Sequence, residues 1–175
     1  MLFRSGRPGE HRRGPHGRHV DRGLRLGQRE ETVAALAERI TSAALPTDLM
    51  MSTTQLKALH GAGMEIGGHT DRHPILAILD DASVRAEVQA GRDWLEATLG
   101  SPVRVFAYPN GRPGMDYRPE QARILEDLGL EGAVSTRWGV STRKTDAYQL
   151  ARFTPGWGGA RRFVPMLINN LRSPA

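Results

Sequence analysis

The chain has 175 residues, no cysteine and a formal net charge of +5. That length suits one domain with one core, no apolar run is long enough to span a bilayer, and the lack of cysteine excludes disulfides, thiolate metal sites and thiol nucleophiles together. The charge belongs to one end: between Met1 and Arg29 eight arginines stand against Glu10 and Asp21, a net of +6, so the rest of the chain carries −1 and the basic balance is no argument for a nucleic-acid-binding face.

Residues 1–29 are rich in arginine, glycine and proline and have almost no apolar periodicity, which predicts a disordered arm. The arm lacks the apolar centre of a signal peptide, and it reads better as a shifted start or reading frame joined to a domain over 30–175 than as a tether for a polyanion. Val33, Leu36, Ala37 and Ile40 then recur at helical spacing through Glu30 to Ala44, a core-facing helix that Pro46 ends. Ser52-Thr53-Thr54-Gln55 has the spacing of a capping box, and Gly61 and Gly63 close the helix that it opens. His60, at the end of that helix, suits a surface role beside the helix dipole.

Met64 to Gly68 reads as a strand, and it delivers His69 and His73 just before Pro74. In a helical turn that spacing puts both rings on one side, and the two glycines allow a tight bend. Two neutral imidazoles suit a borderline cation such as zinc, but a working site needs at least one more ligand, often a carboxylate. The pair is half a site, set where α/β folds place their chemistry.

Beyond it, Ile75, Leu76, Ile78 and Leu79 form an apolar cluster, and a helix from Ala82 to Leu99 carries Val84, Val88, Gly91, Leu95 and Leu99 along one stripe, with Trp94 beside it in the core. Gly100 stops the helix and Pro102 opens a strand from Val103 to Tyr108. A helix from Arg118 to Leu128 turns Ala122, Leu125 and Leu128 inward and ends at Gly129; Gly132 to Thr136 and Gln149 to Thr154 read as short strands. Arg161 to Leu171 is an amphipathic helix carrying Phe163, Val164, Leu167 and Ile168. Strands alternating with helices at this interval predict βαβ units and a parallel sheet or barrel.

His69-Thr70-Asp71-Arg72-His73 resembles the second motif of the polysaccharide deacetylase family, carbohydrate esterase family 4 with its NodB homology domain. Met51 to Leu56 resembles the short helix before that motif, and Val103-Arg104-Val105-Phe106-Ala107-Tyr108-Pro109-Asn110-Gly111 resembles the third motif, so the likeness runs from about Leu49 to Phe153, about three fifths of the chain. The resemblance implies an α/β fold, a partial (β/α) barrel lacking its N-terminal strands, whose exposed edge and helix face make the chain marginally stable or sticky. It implies metal-dependent hydrolysis of N-acetyl or O-acetyl groups on a polysaccharide or oligosaccharide, with a divalent ion, zinc by preference, held by His69 and His73. Tyr108, Asn110, Gly111 and Trp138 would line the substrate groove, with a backbone amide of Tyr108 to Gly111 turned to the oxyanion. Members of the family often act at the cell envelope.

This chain departs from the pattern in its acids. No Asp-Asp pair precedes His69: Asp21 is followed by Arg22 and Asp48 stands alone. Ala107 stands where many members carry arginine, Asn110 replaces an aromatic residue, and no histidine follows His73; the expected place holds Phe153-Thr154-Pro155-Gly156-Trp157. Asp116, in the loop after the third motif, is a candidate for a substitute base or ligand where the family's base is absent, while Asp71 reads as a cap of its own turn. Trp138 reads equally as a sugar platform or a loop-packing aromatic, and Arg137 and Arg152 as groove cations or solvated side chains. Turnover by this chain is expected to be weak or absent, and the alternative function is a non-catalytic glycan-binding module in the same groove.

Overall fold

The computed structural model describes residues 26–40, 50–154 and 160–173. The chain divides into two compact units, Met1–Ala44 and Leu45–Ala175. Among the described residues no helix is long and apolar enough to cross a membrane.

The first unit contributes α1 (Leu26–Ile40), which starts inside the stretch read as an arm. Residues 1–25 of that arm, and the 41–44 end of the predicted helix, lie outside the described residues. The expectation of a core-facing stripe is corrected: among its side chains that the structure describes, Val33 and Leu36 are exposed and Ala37 is partly covered. No second described element of this unit lies against them.

In the second unit α2 (Thr53–Gly61) begins as its sequence predicts. Ser52 accepts from the Gln55 amide at 3.3 Å while the Gln55 side chain accepts from the Ser52 amide at 2.8 Å, so two otherwise orphaned donors are satisfied. Its last turn is tied to the end of the next helix by a 3.2 Å bond between His60 and Ser101. That helix, α3 (Asp81–Leu99), is capped by Asp80, which accepts from Ser83 N at 2.7 Å, and ends at Gly100 in the left-handed region. Val84, Val88 and Gly91 are buried along its stripe, and Leu95 and Leu99 partly so. Trp94 does not join them: it sits roughly 80° around the helix from Val84, at the margin of the stripe, and is 55% exposed.

Strand β1 (Val105–Ala107) pairs in parallel with β2 (Gly132–Val134), with Phe106 opposite Ala133. The predicted strands on either side shrink to single parallel bridges, Gly68 to Phe106 and Leu150 to Val134, and Ala147–Gln149 is a 3-10 turn. Four chain segments thus lie side by side in sequence order, linked by α3, by α4 (Ala122–Asp127) and by a loop. This is a parallel wall in sequence order; among the described residues it does not close.

The core beneath this wall contains Leu76, Val84, Val88, Phe106, Tyr108, Tyr117, Ile124, Leu125, Leu130 and Ala133. Truncating Leu76 or Leu125, both essentially fully buried, to alanine costs about 2–5 kcal/mol. The predicted helix from Arg118 opens as a 3-10 turn, Pro119–Gln121, before continuing as α4. Arg118 donates to Ala77 O and Leu79 O, and Gln121 to Leu76 O, so this junction holds the apolar cluster that follows Pro74. The last helix, α5 (Ala160–Leu171), is fastened by buried Asn170, which accepts from Gly139 N at 2.8 Å and donates to Gly139 O at 3.2 Å. Phe163, Val164, Ile168 and Leu171 remain exposed.

Candidate functional site

The site begins where Gly68 meets β1. Gly68 N donates to Val105 O at 2.8 Å and Ala107 N to Gly68 O at 2.9 Å, which aligns the incoming chain with the strand and releases His69 at its carboxyl end. The glycines serve close approach, not the expected bend: neither has a positive φ. A Cβ on Gly67 would lie 3.0 Å from the Val105 side chain and one on Gly68 3.2 Å from the Phe106 ring.

Residues 69–73 are not helical. Two non-glycine residues in left-handed conformation make the turn instead, Thr70 at φ 66° and His73 at φ 56°. A β-branched residue there is uncommon, and each such residue stores about 1–3 kcal/mol that its surroundings must offset. The Thr70 hydroxyl accepts from His73 N at 3.0 Å, and the histidine rings meet edge to face with centroids 4.8 Å apart.

His69 Nδ1 lies 2.6 Å from Ala107 O. A carbonyl only accepts, so Nδ1 carries the proton and Nε2 of the neutral ring keeps its lone pair, the arrangement that prepares an imidazole for a metal. Partial burial lowers the His69 pKa; the bond to Ala107 opposes this, and the charges of His73 and Arg152 reinforce it.

The third-motif loop departs from the groove expected of it. Tyr108 is a core residue: it is 1% exposed, stacked on Tyr117 with centroids 3.7 Å apart, and donates its hydroxyl to Tyr148 O at 2.9 Å. Burial drives its phenol far above the ordinary range, and that of Tyr117 is pushed up to about 12 by the same cause. Tyr108 N donates to Val134 O and Gly111 N to Pro109 O, so neither amide is open to an oxyanion. Asn110, at φ 55°, is exposed, and its carbonyl accepts from the Thr136 hydroxyl at 2.8 Å. Gly111 is buried, its carbonyl accepting from Thr136 N at 2.7 Å.

Asp116 is 2% exposed, and its carboxylate accepts from both the backbone N and the Nε of Arg112 at 3.0 Å. That places Asp116 as the brace of its own loop. Asp146 caps the 3-10 turn by accepting from Tyr148 N, and Asp71 is exposed, with Arg72 Nε 4.0 Å away. Trp138 packs edge to face on Phe153 at 5.4 Å and is 43% exposed. Asp21, Asp48 and Trp157 lie outside the described residues.

Two imidazole nitrogens suit a zinc-type cation, yet among the described residues no group of three or more His, Asp or Glu side chains is placed to hold one. The donor set is therefore incomplete within the described residues. What inspection of the sequence missed is the support beneath the pair: Glu87 of α3 is 5% exposed and accepts from Arg72 N at 3.0 Å and Arg72 Nε at 3.1 Å. A glutamate flanking an apolar stripe looks like a solvated residue until its partner is known, and nothing in the order of residues pairs it with Arg72.

The sequence profile of polysaccharide deacetylases matches residues 24–133. No curated protein sequence matches the chain. Among solved structures, the deacetylase PplD of Streptococcus pyogenes in complex with acetate is 26% identical, over 67% of this chain and 47% of that one, with a TM-score of 0.53. IcaB from Ammonifex degensii is 28% identical over 61% and 49%, with a TM-score of 0.51. The BpsB deacetylase domain of Bordetella bronchiseptica, at 17% identity over 64% and 52% and a TM-score of 0.53, shares the fold. The chain thus spans about half the length of these structures. With the profile covering more than half of its residues and the histidine turn at the sheet end inside the match, this chain belongs to the polysaccharide deacetylase family.

Proposed function

We propose that this chain carries the imidazole half of a metal-dependent site for hydrolysing N-acetyl or O-acetyl groups on a glycan, with His69 and His73 as ligands, and that this half alone gives little or no turnover. The observation that carries the reading is the bond from His69 Nδ1 to Ala107 O, which leaves the lone pair on Nε2 of a ring that meets the His73 ring. Family membership supplies the reaction class. The incomplete donor set among the described residues, and the engagement of Asp116 with Arg112, support the low turnover. Asn110, exposed in the third-motif loop, and Trp138, with two fifths of its surface open, are the residues proposed to meet the sugar.

The test is acetate release from an N-acetylated chitooligosaccharide by the full chain with added zinc, beside zinc binding by calorimetry. The expected result is zinc binding lost in His69→Ala and His73→Ala, with acetate release no faster than in His69→Ala. Rapid release dependent on His69 would show a complete site. Glycan binding that survives chelation and loss of both histidines would favour a non-catalytic module.

A further inference from the structure

We propose that Glu87 is a positioning residue for the histidine pair, a proposal that rests on reading His69 and His73 as ligands. Between the two histidines the chain must hold left-handed conformations at Thr70 and His73, which the unsupported backbone would abandon. Glu87 meets that need at three points. Its carboxylate accepts from Arg72 N and Arg72 Nε, and its backbone carbonyl accepts from Asp71 N at 3.1 Å, so both residues at the centre of the turn are bolted to one residue of α3.

Gly91, one helical turn further along, completes the seat. A Cβ there would lie 2.7 Å from Thr70 O and 3.1 Å from Asp71 N, so the turn rests directly on the helix backbone. A nearly buried carboxylate paired with a half-exposed arginine gives less stability than a well-packed apolar side chain of its size. What it adds is direction: donors on the turn find acceptors at fixed places, and the two rings meet edge to face as a consequence. This is the outer support that orients metal-ligating histidines.

The experiment follows the histidine rings of the full chain by nitrogen-15 NMR in wild type, Glu87→Ala, Glu87→Gln and Gly91→Ala, with exposed Gln89→Ala as a control and the core variant Leu125→Ala as a match for general destabilisation. Circular dichroism and urea midpoints report the fold. The expected result is that Glu87→Ala and Gly91→Ala replace the single Nδ1-protonated state of His69 by a mixture, while Gln89→Ala and Leu125→Ala retain it. Glu87→Gln, whose amide oxygen still accepts, keeps part of it. Zinc affinity falls about tenfold or more in the first two variants. A His69 ring unchanged in Glu87→Ala and Gly91→Ala, or changed equally in Leu125→Ala, overturns the proposal; if Glu87→Ala does not fold, Glu87→Gln and Gly91→Ala decide. Failure of the wild type to bind zinc refutes the ligand reading alone, because the ring signals judge Glu87 without metal.

Discussion

Replacing Tyr108 separates a core tyrosine from a groove tyrosine. The ring is 1% exposed and stacked on Tyr117, and its hydroxyl donates to Tyr148 O. Tyr108→Phe removes one hydrogen bond to a partly buried carbonyl, which costs about 1 kcal/mol. At a urea dependence of about 2 kcal/mol per molar, that lowers the midpoint by about 0.5 M. Tyr108→Ala removes the ring as well and costs about 3–5 kcal/mol, a large share of a typical domain's stability. A double-mutant cycle of Tyr108→Leu and Tyr117→Leu should return a coupling of about 0.5–1.5 kcal/mol from the stacked rings. The assay is urea unfolding followed by tryptophan fluorescence. Alanine at 108 with an unchanged midpoint and weakened glycan binding would refute the core assignment and restore Tyr108 to the groove.

Further outcomes follow from the same packing. All three tyrosines of the chain titrate above their usual range, with burial the leading cause. A raised folded value gives stability that is complete below the unfolded pKa of about 10 and lost as pH rises beyond it; urea midpoints should hold up to about pH 10 and fall above it, and phenolate absorbance of the folded chain should appear at higher pH than that of the unfolded chain. His69 is shifted the other way, so its neutral ring favours the fold above the ordinary imidazole value of about 6.5, and that contribution is lost as pH falls through the lower folded value. Its NMR titration midpoint should lie below 6.5 and rise in Arg152→Ala; a midpoint at or above 6.5 in the wild type would contradict the burial assigned to it. Asn170→Ala strips Gly139 N and O of their buried partner and should cost about 2 kcal/mol, with faster amide exchange at Gly139. Unchanged exchange there would show that α5 is held by other contacts.

Local signals were the legible ones. Ser52 and Gln55 form both bonds of the capping box because three residues separate them, and Gly100 ends α3 because only glycine takes its left-handed conformation at no cost. The stripe of Val84, Val88 and Gly91 was readable from period alone. Trp94 was not, since a position at the margin of a stripe is buried or open according to what lies opposite. Tyr108 was read as a groove residue because its side chain carries a polar tip as well as an apolar ring; the stacking of Tyr117, from the loop before α4, makes it core. The two histidines do come together, but through left-handed residues and a seat on Glu87 and Gly91, neither visible in a spacing of four.

The most direct test of the account is calorimetric zinc titration of the full chain against the double variant His69→Ala with His73→Ala, in mildly alkaline buffer. The account expects saturable binding in the wild type and none in the double variant, with urea midpoints of the two proteins close together. Binding that persists when both imidazoles are gone would contradict it.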